Sequence, residues 1–419
     1  VMTLRAALLT AVMLSTTAAG LTSPASATTV AGPASATTAA SATVRTKACT
    51  SPNDFDGDGV DDVVVGDPFA DEDKGAVHVI SGQKVVPVPV PGLARGDGFG
   101  WSVRLAKVNA DACADLVVGA PFTDVRGSED AGAAYVVYGG GAAPPRQLTA
   151  SEPQRDAHFG WSVAGKGDVI AIGAPYEDEA RLADTGAVYV AKGEGRPRRI
   201  SQESQEVPGN GEVGDQFGWA LAFGAGNQLV VGVPYENDDG AGRQVGSGKI
   251  DSGSVVVIAD ALAPRLSGVK LDSPTDADGD RYGYAVAYAD GVGLAVGAPG
   301  PGYVQLLNPK LAPVRTVRKG GKQAFGFSLA VSADGRVAVG APYGGGSYLL
   351  SFKDAGQEAT IGGTSDLGGY AVAFSGNRLY VGRPDAAPYG QVEVAGRNAE
   401  DTQQVRPAKG ADFGMSLGG

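Results

Sequence analysis

Phe99-Gly100-Trp101-Ser102-Val103, followed by Val117-Val118-Gly119-Ala120-Pro121, is a phrase that the chain repeats. It consists of an aromatic-Gly pair, a short alternating run, a turn, an aliphatic run and Gly-x-Pro. Clear copies run from Phe159-Gly160 to Gly173-Ala174-Pro175 and from Phe217-Gly218 to Gly232-Val233-Pro234. Others run from Tyr282-Gly283 to Gly297-Ala298-Pro299 and from Phe325-Gly326 to Gly340-Ala341-Pro342, with a worn copy from Gly368-Gly369 to Gly382-Arg383-Pro384. A third strand-like run follows each, as in Gly132-Ala133-Ala134-Tyr135-Val136-Val137, and a variable fourth segment closes the unit. Enrichment in β-branched and aromatic residues favours strands, and no stretch after residue 48 has helical periodicity. Four short strands per unit, repeated around the chain, predict a β-propeller.

The two ends of the chain set the blade count. Gly66-Asp67-Pro68 has no aromatic-Gly pair before it, and Phe413-Gly414-Met415-Ser416-Leu417 has no Gly-x-Pro after it. Joined, these orphans complete a seventh unit. The expected fold is all-β: a seven-bladed propeller of four-stranded blades, closed by the C-terminal strand pairing into the N-terminal blade. Such closure removes the open sheet edge that would otherwise invite association.

Composition agrees. Among 419 residues 65 are glycine, too many for an ordinary domain but without the G-x-y period of collagen. A content of 43% hydrophobic and 19% charged residues excludes wholesale disorder. A net charge of −12 argues against a nucleic-acid partner and favours a cation. Residues 1–27 have the layout of a secretory signal peptide: Arg5, an apolar run, and Ala25-Ser26-Ala27 as a cleavage site after Ala27. Residues 28–47 read as a flexible Ala/Thr/Ser linker, and 48–419 as the propeller. No later segment is long and apolar enough to span a bilayer, so the expected product is a secreted, extracellular monomer with no membrane span.

The phrases around Phe99-Gly100 and Gly119-Ala120-Pro121 resemble FG-GAP repeats, the units of the integrin α-subunit propeller and its secreted bacterial relatives, over about residues 48–419. The resemblance implies adhesion-type partners by analogy.

The sharpest chemical feature is Asp54-Phe55-Asp56-Gly57-Asp58-Gly59-Val60-Asp61-Asp62. Oxygens at alternate positions of a tight loop can converge on one hard cation, and Ca²⁺ takes six to eight of them. Asp54, Asp56, Asp58, the Val60 carbonyl and Asp62 are the expected metal ligands. The twelfth position is Val65 and a strand follows, so this is not an EF-hand; it is similar to the D-x-D-x-D-G-x-x-D loop of FG-GAP repeats. The bland alternative is an acidic hairpin with mutually repelling carboxylates. The next unit keeps a longer loop, with 20 residues from its aromatic to the Gly-x-Pro glycine where later units have 14 or 15. It retains Asn109, Asp111 and Asp115, but Lys107 replaces the first carboxylate and Ala112 the turn glycine, which makes it a weak, degenerate metal loop. Asp276-Ala277-Asp278-Gly279-Asp280 precedes Tyr282-Gly283 and reads as an inter-blade turn. Cys49 precedes the intact loop and Cys113 lies in the degenerate one. If the ring closes, these loops are neighbours and the two cysteines form a disulfide, as suits an exported protein.

Catalytic residues are few. His78 and His158 fall at positions fixed by the repeat and read as strand or turn filler. No nucleophile elbow, zinc-spaced cluster or phosphate loop is present. Trp101, Trp161 and Trp219 share one repeat position and read as packing between blades. Long acidic loops follow Pro121, Pro175 and Pro234 and could carry a ligand site on the first three complete units. The expected function is a secreted calcium-binding module for binding or adhesion, with an extracellular protein or carbohydrate as ligand. The alternative is an extracellular hydrolase or lyase on the same scaffold.

Overall fold

The computed structural model describes residues 49–109, 111–141, 143–237, 248–354, 359–363, 365–397 and 402–419. The expected signal peptide and linker, residues 1–47, lie outside the described residues, as does part of the loop after Pro234. The strands form seven four-stranded antiparallel sheets. Blades 2 to 7 are simple meanders spanning 102–148, 162–200, 220–272, 285–318, 328–361 and 372–405. Blade 1 is composite: Val63–Asp67, Ala76–Ser81 and Lys84–Pro87 are joined on the inner side by Ser416–Gly418. Val65 pairs with Leu417 in that register, so the C-terminal strand closes the ring as expected.

Two glycine classes explain why the blades pack so closely. The aromatic-Gly glycine has a positive φ, for example +97° at Gly100 and +99° at Gly160, a region that disfavours a side chain. Its carbonyl then touches the Gly-x-Pro glycine of the preceding blade. A Cβ at Gly119 would lie 1.8 Å from the Gly160 oxygen, and one at Gly173 would lie 2.2 Å from that of Gly218. The seam repeats this contact, since a Cβ at Gly382 would lie 2.0 Å from the Gly414 oxygen and one at Gly66 would lie 1.9 Å from that of Gly100. Asp67 adds a bond special to the seam: its carboxylate accepts the Ala411 and Asp412 amides at 2.9 and 2.8 Å.

The aromatic before each such glycine fills the gap between blades. Phe99, Phe159, Phe217, Tyr282, Phe325 and Phe413 are all buried, each contributing about 1.5–3 kcal/mol by removal from water. Phe99 and Phe159 meet Tyr135 and Tyr189 edge-on at 5.5 and 5.0 Å. In blade 1 that place belongs to His78, whose ring meets Phe413 at 5.3 Å.

The first strands of the seven blades surround an axial cavity of about 420 Å³. Their repeat positions form rings. Counting the aromatic as position zero, the second position carries a large side chain, the fourth a valine or leucine and the fifth a small residue, with one exception. That exception is Arg104.

Candidate metal centre

Asp54, Asp56 and Asp58 bring carboxylate oxygens within 4.8 Å of one another. The loop is folded around its own acids. Asp54 is fully buried and accepts the Gly57, Gly59 and Thr50 amides at 2.7, 2.9 and 3.2 Å. Asp56 accepts the Asp58 amide at 3.0 Å and Asp58 accepts that of Val60 at 2.9 Å, two successive Asx turns. Gly57 and Gly59 hold φ of 78° and 90°, which the tight path requires. Ser81 of the second chain strand donates to Asp58, and Ser51 donates to Asp61.

Asp62 decides what the loop is suited to hold. It is fully buried, and its Oδ2 accepts the Phe55 and Asp56 amides at 2.8 and 3.3 Å. Its Oδ1 is buried with no hydrogen-bond partner. Burial, reinforced by the charges of Asp56 and Asp58, pushes the Asp62 carboxyl up to about 6. Three convergent carboxylates, with an unsatisfied buried oxygen on a fourth acid of the same loop, are costly unless a cation or proton joins them. An all-oxygen donor set of this kind fits a hard divalent ion such as Ca²⁺.

The degenerate loop resolves the same problem with its own atoms. Asp115 occupies the place of Asp62 and its Oδ2 accepts the Val108 and Asn109 amides at 2.8 and 3.1 Å. Its Oδ1, the counterpart of the orphan, accepts the Gly139 amide at 3.1 Å. Asn109 donates to Asp111 at 2.8 Å, and the Lys107 ammonium donates to the Ala112 carbonyl at 2.5 Å. Positive charge from Lys107 and an amide bond to the buried Asp115 oxygen are thus built into the second loop.

The two loops sit side by side. The Ala114 amide donates to the Asp54 carbonyl and the Gly140 amide to the Phe55 carbonyl, each at 2.8 Å. Cys49 and Cys113 are bonded, with Cα atoms 4.9 Å apart and a sequence separation of 64. The acids 276, 278 and 280 belong to the turn before Tyr282, where Asp280 accepts from Ser273 at 2.5 Å and from the Ala277 amide at 3.2 Å.

Other acids singled out in the long loops serve the scaffold. Glu177 is buried and bonded to Arg199 at 2.5 Å and Tyr189 at 2.8 Å. Glu236 is buried and held by Lys270 and Gln202, each at 2.8 Å. Asp124 and Asp178 cap the amides of Asp130 and Asp184 at 3.0 Å in matching turns. Burial lowers the pKa of both histidines, His78 to about 4. His158 packs on Phe122 and Tyr176, with Nδ1 3.1 Å from the Pro121 carbonyl.

The second position of the repeat forms an aromatic belt. Trp101, Trp161, Trp219, Tyr284, Phe327 and Tyr370 stack from blade to blade with centroids 4.9–5.3 Å apart. Met415 holds the same repeat position in the closing strand. Only Trp219 and Tyr284 are buried; the other members are half-buried. Phe122, Tyr176 and Tyr235 stand edge-on against the three tryptophans at 5.2–5.3 Å. Sequence reading found the tryptophans but not the belt, although aromatic residues recur at this position in six units.

The FG-GAP repeat model matches residues 51–80, 99–137 and 146–191. Integrin alpha-PS2 of Drosophila melanogaster is 32% identical over 213 residues, and human integrin alpha-7 is 33% identical over 190. The chain carries FG-GAP repeats at those residues, and its propeller is similar to that of the integrin α chains. These alignments take in 44% and 40% of this chain but only 15% of each integrin subunit. Bovine phosphatidylinositol-glycan-specific phospholipase D is 31% identical over 171 residues, which is 20% of its length. Among solved structures, a Bacteroides uniformis protein assigned to the 6-phosphogluconolactonases superposes with a TM-score of 0.57 at 10% identity, covering 85% of this chain and 98% of that one. A streptogramin B lyase superposes with a TM-score of 0.50 at 8% identity, covering 73% and 83%. At such identities the likeness concerns the propeller fold alone. Among the described residues no helix is long and apolar enough to cross a membrane.

Proposed function

We propose that this chain is a secreted, calcium-stabilised propeller that serves as an extracellular binding or adhesion module for a protein or carbohydrate ligand. The observation that carries the calcium reading is the orphaned Asp62 Oδ1 in the loop whose Asp54, Asp56 and Asp58 carboxylates converge. Asp54, Asp56, Asp58, the Val60 carbonyl and Asp62 would hold the ion, which would neutralise the loop. The second loop needs no ion, because Lys107, Asn109 and the Gly139 amide already satisfy its acceptors. Export is supported by the Cys49–Cys113 bridge, which persists in oxidising compartments.

Similarity to the integrin α chains and the half-buried aromatic belt support a binding role. Aromatic surface left partly open on a rigid scaffold is a common recognition platform. The test is a screen of the purified chain against immobilised extracellular-matrix proteins and polysaccharides, with Ca²⁺ and with EDTA. Saturable binding that EDTA abolishes supports the reading. Turnover of an ester or polysaccharide without stable binding would replace it by the hydrolase or lyase alternative.

A further inference from the structure

We propose that the axial cavity is a binding site for a small organic monocarboxylate, anchored by the guanidinium of Arg104. This reading does not depend on the calcium loop or on the adhesion role.

The fifth repeat position is alanine in five first strands, at Ala164, Ala222, Ala287, Ala330 and Ala373, and glycine in the closing strand, at Gly418. Only blade 2 departs, from a methyl group or hydrogen to the long, charged side chain of arginine. Arg104 lines the cavity and is exposed within it, while Val103 and Leu105 on either side are buried. It makes no hydrogen bond or ion pair with any described residue. The protein surrounding the channel pushes its guanidinium down from the usual arginine range by desolvation, in keeping with a position near the axis.

The other cation on the cavity wall is already neutralised. Lys166 donates to the Gly224 carbonyl at 2.6 Å and to both carboxylate oxygens of Asp290 at 2.9 and 2.7 Å. Arg104 is therefore the one cation on the cavity wall that no side-chain carboxylate pairs, and Gly419 with its terminal carboxylate shares that wall. The wall around it is mixed: polar atoms make up the larger part, and the apolar share comes from the valine and leucine ring of the fourth position together with Phe223 and Phe374.

These features select a ligand class. A guanidinium offers a planar fork that matches a carboxylate with two parallel hydrogen bonds. One guanidinium fork pairs with one carboxylate, so a monocarboxylate fits better than a phosphate ester. The apolar share of the wall gives a short hydrocarbon body attached to that charge a place to lie. A cavity of about 420 Å³ lies within the size range of small-molecule sites. Benzoate and hexanoate meet all of these requirements.

The test measures the thermal midpoint and binding heat of the purified full chain with sodium benzoate, sodium hexanoate, benzamide and sodium chloride at matched ionic strength. Saturable stabilisation and one-to-one binding by a carboxylate are expected, with none from benzamide or chloride. Arg104→Met, which keeps the stem and removes the charge, should weaken that binding at least tenfold. Arg104→Lys, which keeps the charge without the fork, should fall between. The proposal is overturned if neither carboxylate binds saturably, if benzamide or chloride binds as well as benzoate, or if Arg104→Met binds undiminished. The benzamide comparison uses the unaltered chain and holds even if a variant fails to fold.

Discussion

Gly119 carries one of the heaviest steric constraints in the molecule. A Cβ there would sit 1.8 Å from the Gly160 carbonyl oxygen, a backbone atom that can move only if blade 3 moves with it. Gly119→Ala should therefore destabilise by about 3 kcal/mol or more, read as a fall in the urea midpoint. Gly167→Ala makes a useful comparison, since its Cβ would meet nothing within 4 Å and only its φ of +57° resists the change. That variant should lose about 1 kcal/mol. His78 offers a pH test at the same scale. Its folded pKa, about 4, is below the ordinary value of 6.5 because burial disfavours the charged ring. As pH falls from 6.5 towards 4 the unfolded chain takes up the proton first, so stability is lost across that window, by about 3 kcal/mol in full. His78→Tyr, which places in blade 1 the residue that blades 2 and 3 carry at Tyr135 and Tyr189, should flatten this part of the pH–stability curve. An unchanged slope would assign the acid sensitivity to other groups.

At the scale of loops and strands, the two metal-type loops differ in ways that were only partly legible in the sequence. The spacing of Asp54, Asp56, Asp58 and Asp62 is visible there, as is the loss of the first carboxylate at Lys107. The decisive contrast is invisible, because it depends on a distant amide. Gly139 reaches Asp115, and no counterpart reaches Asp62 Oδ1. In the same way Glu177 and Glu236 read as loop acids, since Arg199 and Lys270, on a strand further along the blade, are 22 and 34 residues away. Arg104 drew no notice because one polar residue on an alternating strand resembles an outward-facing position. The Cys49–Cys113 bridge ties the two loops together and closes a long stretch of chain. Replacing both cysteines by serine should lower stability by about 2–4 kcal/mol, measured by chemical unfolding under non-reducing conditions. Stability equal to that of the parent chain would mean that the backbone bonds between the loops suffice alone.

The whole molecule is a ring whose seam reproduces the contacts made between its other blades. The Gly414 amide donates to the Gly66 carbonyl at 3.2 Å, and Ser416 donates to the Gly100 carbonyl at 2.7 Å, as Ser102 does to Gly160 at 2.8 Å. The blade count was legible because the orphan halves at the two ends of the repeat complete each other. Asp67, which clamps residues 411 and 412, was not legible as a seam residue, since its partners are more than 340 positions away. Removing residues 411–419 should open blade 1, strip the cover from Phe413's neighbours and leave a free strand edge. The expected outcome is loss of the cooperative unfolding transition or association seen by light scattering; a monomer with the parent melting temperature would contradict closure. The calcium loop stands next to this seam, and its occupancy is the central claim. Isothermal titration of Ca²⁺ into the EDTA-treated, dialysed chain tests it most directly, with the Asp56→Asn/Asp58→Asn double variant as comparison because these two acids lie nearer the surface than Asp54 and Asp62. The expected result is one equivalent of Ca²⁺ bound by the parent chain and none by the folded variant. No binding to the parent, or unchanged binding to the variant, would contradict it.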